Sequence, residues 1–140
     1  MLNESISNTR NAFLCEKNGL FSMTEGGEEY TVLANSLAII TGVASKKESE
    51  RIAQAIADGK LLECTLSMRA FKYDALLAVS EEKWLPFVFE EIRRDYKMML
   101  DSGATATWET IDGAVAFDNA GSLCHGWSAI PIYYYGKYKL

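Results

Sequence analysis

The chain has 140 residues, of which 49% are hydrophobic, 24% are charged and only two are proline. That composition fits one ordinary globular domain and excludes disorder, collagen and a bilayer-spanning protein. Nineteen acidic against fourteen basic residues leave a net charge of −5, so no positive field is present to hold a phosphate backbone, and neither nucleic acid nor membrane is expected as a partner. The longest apolar stretch, around Val32 to Ile40, falls short of the roughly 20 residues a bilayer demands. Met1 to Arg10 is polar and resembles no signal peptide, which points to the cytoplasm if Met1 is the true start. Cys15, Cys64 and Cys124 are widely spaced and odd in number. They read as free, buried thiols rather than a disulfide framework or a metal site.

In chain order, Ile6, Phe13 and Leu14 predict a first helix from Asn3 to Cys15, ending near Glu16, before a loop with Gly19, Gly26 and Gly27. From Glu28, the set Tyr30, Leu33, Ala34, Leu37, Ala38 and Thr41 steps by three and four residues. This predicts a second helix that Gly42 stops. Ser45 and Glu48 have the spacing of a capping box and open a third helix to about Asp58, with Ile52, Ala53 and Ile56 inward and Gly59 closing it. Leu61 to Thr65 reads as a short extended link, and Met68, Phe71, Ala75 and Val79 repeat at helical spacing up to Ser80.

In the fifth helix Leu85, Val88, Phe89, Ile92, Tyr96 and Met99 form an apolar stripe. Pro86 suits its first turn and Gly103 its stop. Glu90, Glu91, Arg93, Arg94 and Asp95 lie mostly off that stripe and read as a solvated face. Helical periodicity then disappears from Asp101 to Gly121, a loop that Trp108, Ile111, Val115 and Phe117 mark as ordered. A last helix from Leu123 to Tyr138, apolar almost all round and interrupted by Pro131, belongs in a core or at an interface. Six helices in three consecutive pairs predict an all-α architecture of α-hairpins, either a bundle or part of a repeated helical array.

Chemistry is confined to few places. A single His and no clustered ligands argue against a metal site, and no phosphate-binding glycine loop occurs, so no metal or cofactor is expected. Cys124 and His125 are adjacent, and on a helix such neighbours point about 100° apart and cannot act as a nucleophile pair. What remains is carboxylate chemistry on an aromatic surface, with Trp108, Glu109, Asp112, His125 and Trp127 in or just after the long loop. Aromatic faces with a few placed polar groups suit a sugar. The same residues also fit core tryptophans beside an exposed loop acid.

The stretch Gly103-Ala104-Thr105-Ala106-Thr107-Trp108-Glu109-Thr110, followed by Ser122-Leu123-Cys124-His125-Gly126-Trp127-Ser128-Ala129-Ile130-Pro131 and a tyrosine run, resembles the C-terminal signature of bacterial α-L-rhamnosidases. These are six-hairpin glycosidases that fold as (α/α)6 toroids. Tyr30 to Val43 and Leu66 to Leu77 extend the likeness, more weakly, to the preceding helices. The resemblance implies an inverting mechanism, with Glu109 as general base and Trp108, His125 and Trp127 in the sugar pocket. Tyr133 and Tyr134 match aromatic positions of the final helix and read as packing. Ala106 stands where relatives more often have Thr, and Ile130 where they often have Gly.

Length is the larger departure. A ring of twelve helices needs on the order of 190 residues, so this chain is expected to form three α-hairpins, about half of an (α/α)6 six-hairpin toroid, as one partial domain. The general acid is then expected outside it. Asp112 and Asp118 are the nearest local carboxylates, but an inverting pair stands about 6.5 to 9.5 Å apart across the sugar. Asp112, three residues from the base, is assigned to substrate contact instead. A base without its acid leaves little hydrolysis. The expected partner is a rhamnoside-like glycoside, and the apolar faces a half ring leaves open predict self-association or pairing with the missing half. Two other readings are a non-catalytic helical module that binds a sugar or a protein through the same loop, and a helical domain without a ligand.

Overall fold

The computed structural model describes residues 2–139, so the expectation attached to Met1 lies outside the described residues. The architecture is all-α: helices dominate, and the one sheet among the described residues has two short strands. No helix of the described residues is long and apolar enough to cross a membrane. By its internal contacts the chain divides into two compact units, one running to Cys64 and including Phe71–Trp84, the other made of Thr65–Ala70 and the residues from Leu85 onward.

In the first unit, helix α1 spans Leu2–Phe13 and ends two residues before Cys15, where the sequence suggests its end. Leu14–Cys15 (β1) instead pairs antiparallel with Leu20–Phe21 (β2), in register Leu14 with Phe21 and Cys15 with Leu20. The turn between them needs a left-handed residue, which Gly19 supplies at φ 71°. Its amide donates to the Cys15 carbonyl at 2.7 Å, and the Leu20 amide donates to Asn18 Oδ1 at 2.9 Å. The strand is secured from the next helix. Asn35, fully buried, accepts the Phe21 amide at 2.9 Å and donates to the Phe21 carbonyl at 2.8 Å.

Helix α2 covers Val32–Ile40 and begins later than Glu28, because Thr31 caps it: the Thr31 hydroxyl accepts the Ala34 amide at 3.1 Å. Residues 28–30 form no regular element, and Leu62 bridges Thr31 in parallel, with Leu62 N donating to Tyr30 O and Val32 N to Leu62 O, both at 2.9 Å. The extended link thus has a structural task. Helix α3, Lys46–Ala57, has the expected capping box, Ser45 N donating to Glu48 Oε2 at 2.7 Å and Glu48 N to Ser45 Oγ at 3.4 Å. Ile52, Ala53 and Ile56 are buried as the periodicity requires. Arg10 grips the same Glu48 with both terminal guanidinium nitrogens, at 2.7 and 2.8 Å, and also donates to the Val43 carbonyl.

A single 3-10 turn, Leu66–Met68, leads into helix α4, Arg69–Val79. Only Ser80 separates α4 from helix α5, Glu81–Asp101. Helix α5 starts four residues before Leu85. The Ser80 hydroxyl accepts the Lys83 amide at 3.3 Å, and Glu81 and Glu82 in the first turn suit the positive end of the helix dipole, so Pro86 lies inside the helix rather than opening it.

The charged residues of α5 do not form a uniformly solvated face. Glu91 and Asp95 are buried while Glu90, Arg93 and Arg94 are exposed. Trp84, Val88, Glu91, Asp95 and Met99 lie along one buried line of the helix, which places two carboxylates among its inward positions.

Beyond Gly103 the chain forms a 3-10 turn at Gly113–Val115, a turn at Ala116–Asn119 and a second 3-10 turn at Gly126–Ser128, before a C-terminal helix, Pro131–Tyr138. That helix starts eight residues later than Leu123. Pro131, which has no amide hydrogen to lose, occupies its first turn instead of interrupting it. Tyr134 is buried and donates its hydroxyl hydrogen to Ala70 O at 3.0 Å, whereas Tyr133 and Ile132 are exposed, so the helix is covered on one side only. Tyr134 therefore packs as expected, while Tyr133 meets the Tyr134 ring edge-on, centroids 5.1 Å apart, and leaves its other side exposed. The three cysteines are free, but Cys15 and Cys64 are half-buried and Cys124 is exposed, because none of them lies on an inward helix face.

Candidate functional site

The long loop folds back on itself. Thr107 and His125 are held by two bonds, His125 N to Thr107 O at 2.7 Å and Thr107 Oγ1 to His125 O at 2.8 Å. One rung along, Glu109 N donates to Ser122 O at 2.9 Å. The two sequence blocks on either side of the loop therefore run side by side, joined through backbone and a threonine hydroxyl.

Glu109 is fixed at three atoms. Besides its amide, its carbonyl accepts the Leu66 amide at 2.9 Å, and its Oε2 accepts the Ser122 amide at 3.3 Å. Oε1 has no hydrogen-bond partner among the described residues. The half-buried carboxylate thus has one oxygen anchored by an N–H donor and the other without such an anchor among the described residues.

Trp108 turns to a different task. A Cβ on Gly113 would stand 3.0 Å from Trp108 Cε3 and Cζ3 and 3.4 Å from a Leu123 methyl, so the indole lies against the bare Cα of Gly113, itself buried. A Cβ on Gly121 would come within 2.0 Å of the Gly113 carbonyl oxygen. The backbones at 113 and 121 therefore meet and close a neck under Trp108. Beyond that neck Phe117, Asp118 and Asn119 have left-handed dihedrals, φ 52°, 57° and 71°, a conformation costing roughly 1–2 kcal/mol per residue for side chains other than glycine.

Of the five residues singled out in the sequence, the fold brings Glu109 and His125 onto paired segments. Trp108 is half-buried against the neck, Asp112 is exposed at the entry to the Gly113 turn, and Trp127 is 81% exposed in the 3-10 turn that follows His125. Next to Thr107 a groove of about 260 Å³ is lined by Tyr96, Met99, Leu100 and residues 104–107. Among the described residues no three His, Cys, Asp or Glu side chains gather as a metal site.

A charged cluster behind this loop has no counterpart in the sequence reading. Arg69 donates to Asp95 Oδ2 and pairs with Glu91 Oε1 at 3.3 Å. Arg94, more exposed, donates from Nε to Asp95 Oδ1 at 2.6 Å. Burial pushes the Asp95 carboxyl up, yet the hydrogen bonds from Arg94 and Arg69 outweigh it and hold the group below the usual carboxylate range. The neighbouring Tyr96 hydroxyl donates to the Ser128 carbonyl, and burial pushes its pKa up to about 12. The i,i+4 spacing of Glu91 and Asp95 between inward Val88 and Met99 is the one signal that could have revealed the cluster.

No family model and no curated protein matches the chain. Its fold, however, matches part of a solved structure. A solved structure similar to it is a rhamnosidase from Klebsiella oxytoca with rhamnose bound, with a TM-score of 0.79 and 17% sequence identity. The likeness covers 99% of this chain and 28% of that one, so the chain spans little more than a quarter of that protein's length.

Proposed function

We propose that the chain is the C-terminal part of an α-L-rhamnosidase-like, inverting glycoside hydrolase, a partial six-hairpin toroid domain that carries the base side of the active site. The observation that carries this reading is the likeness of nearly the whole chain to a rhamnosidase with rhamnose bound. The anchored carboxylate of Glu109, beside the His125 segment, supports it from within the chain.

In this reading Glu109 Oε1 takes a proton from a water molecule as the water oxygen attacks the anomeric carbon. A carboxylic acid on the other side of the sugar gives its proton to the leaving oxygen. That acid comes from outside these 140 residues. Trp127, His125 and Asp112 contact the sugar, and Trp108 shapes the wall behind it. The chain alone binds a rhamnoside-like glycoside and turns it over little.

The test is a titration of the purified chain with L-rhamnose followed by tryptophan fluorescence, together with an aryl α-L-rhamnoside assay. Saturable binding lost in Trp127→Ala, and any turnover abolished in Glu109→Gln, are the expected results. The 28% coverage favours a second reading, a non-catalytic carbohydrate-binding module. It requires saturable binding unchanged in Glu109→Gln and no turnover. Fluorescence that ignores every sugar tested overturns both.

A further inference from the structure

Arg69, Glu91 and Asp95 are 3%, 4% and 3% exposed, so three charges have been taken out of water in one place. Desolvation of that kind costs several kcal/mol per ion, and apolar side chains of similar volume often serve stability equally well. Stability alone therefore does not account for the cluster. Its attachments offer a reason.

Arg69 closes the 3-10 turn of residues 66–68, its amide donating to the Leu66 carbonyl. Leu66, fully buried, sends its own amide to the Glu109 carbonyl at 2.9 Å. The next residue after Arg69, Ala70, accepts the Tyr134 hydroxyl. On the α5 side, the residue after Asp95 is Tyr96, whose hydroxyl holds the Ser128 carbonyl, one position past Trp127. Both limbs of the candidate site thus hang from the short stretch 65–70 and one turn of α5.

We infer that Arg69 is a positioning residue: its Nη1, held by both Glu91 and Asp95, sets the place of the Leu66 amide and through it the backbone of Glu109. An arginine suits this because its guanidinium is a rigid plane that holds Nη1 in place, whereas a lysine carries a point charge on a flexible stem. The consequence for hydrolysis rests on the rhamnosidase-like reading above, whereas the mechanical coupling does not.

The experiment is amide hydrogen exchange by NMR on the full chain and on Arg69→Lys, Glu91→Gln and Asp95→Asn. Exchange at the Leu66 and Glu109 amides is expected to quicken by about tenfold, the scale of one net hydrogen bond. Val88, in the middle of α5, should stay within about twofold of the parent chain, as local opening predicts. Unchanged exchange at Leu66, or equal acceleration at Leu66 and Val88, overturns the inference. So does unfolding of all three variants, which would mark the cluster as a purely structural one. The same samples titrated with L-rhamnose separate the two claims: no binding by the parent chain sinks the functional reading and leaves the exchange result standing.

Discussion

Glu109 and Ser122 hold each other twice: the Glu109 amide donates to the Ser122 carbonyl at 2.9 Å, and the Ser122 amide returns a bond to the Glu109 carboxylate at 3.3 Å. A carboxylate that anchors the loop in this way has a structural task of its own. Glu109→Ala leaves the half-buried Ser122 N–H without its acceptor and should cost about 1 kcal/mol. Glu109→Gln, which keeps a carbonyl oxygen there, should cost less than half as much. Urea denaturation of the two variants checks the order, and equal costs would show that the Ser122 bond contributes nothing.

The neck between residues 113 and 121 tolerates no side chain at 121. Gly121→Ala is expected to lower stability by more than about 2 kcal/mol and to shift Trp108 emission to the red as the indole loses its cover. Gly126→Ala, with nothing within 4 Å of its added carbon, should change neither quantity appreciably.

Acid should loosen the contact between α1 and the start of α3. The Arg10 guanidinium, hydrogen-bonded to the Glu48 carboxylate, holds that group down at about 2 against an ordinary 4.5, although burial opposes it. A carboxylate depressed on folding contributes stability that is complete above its unfolded value and fades as pH falls toward its folded one. The contribution should therefore be full above pH 4.5 and disappear toward pH 2. For a partly solvated pair it amounts to about 1 kcal/mol. In Glu48→Gln the urea midpoint should vary less over that interval than in the parent chain.

Apolar side chains stand uncovered in the second unit, with Leu100 70%, Ile132 77% and Trp127 81% exposed. Surfaces of this kind associate. Light scattering across micromolar concentrations should give a mass above that of one chain, and Ile132→Glu with Leu100→Glu should lower it. A strictly monomeric parent chain would count against the half-ring proposal.

Local chemistry was legible in the sequence wherever its partners are close along the chain. Ser45 and Glu48 form their capping box as read, and the inward set of α3 is buried. The two prolines exchanged roles. Pro86, which suits a first turn, sits inside α5 because Ser80, Glu81 and Glu82 begin the helix earlier, while Pro131, which reads as an interruption, begins the last helix. A proline fits both places, and only its neighbours decide.

Nonlocal partners were the part that pattern could not supply. Glu91 and Asp95 look like surface charges until Arg69, more than twenty residues away, is placed between them. Leu62 gives no sign that it will bridge Thr31. For the candidate site, residue chemistry alone reached a polar aromatic loop. The pairing of Thr107 with His125 and of Glu109 with Ser122 arises from the return of the chain through Gly113 and Gly121, which no periodicity encodes.

Because the backbone touches itself at Gly113 and Gly121, the seven residues between them form a side branch whose ends are pinned to each other. Lengthening, shortening or replacing that branch alters what projects into solvent without moving the stem on which Trp108 and Glu109 sit, since closing a longer loop between fixed ends costs only a fraction of a kcal/mol per added residue. The left-handed tip at Phe117–Asn119 is consequently the place where a tag, a probe or a foreign peptide can be spliced into this chain, and where related chains are free to diverge most in length.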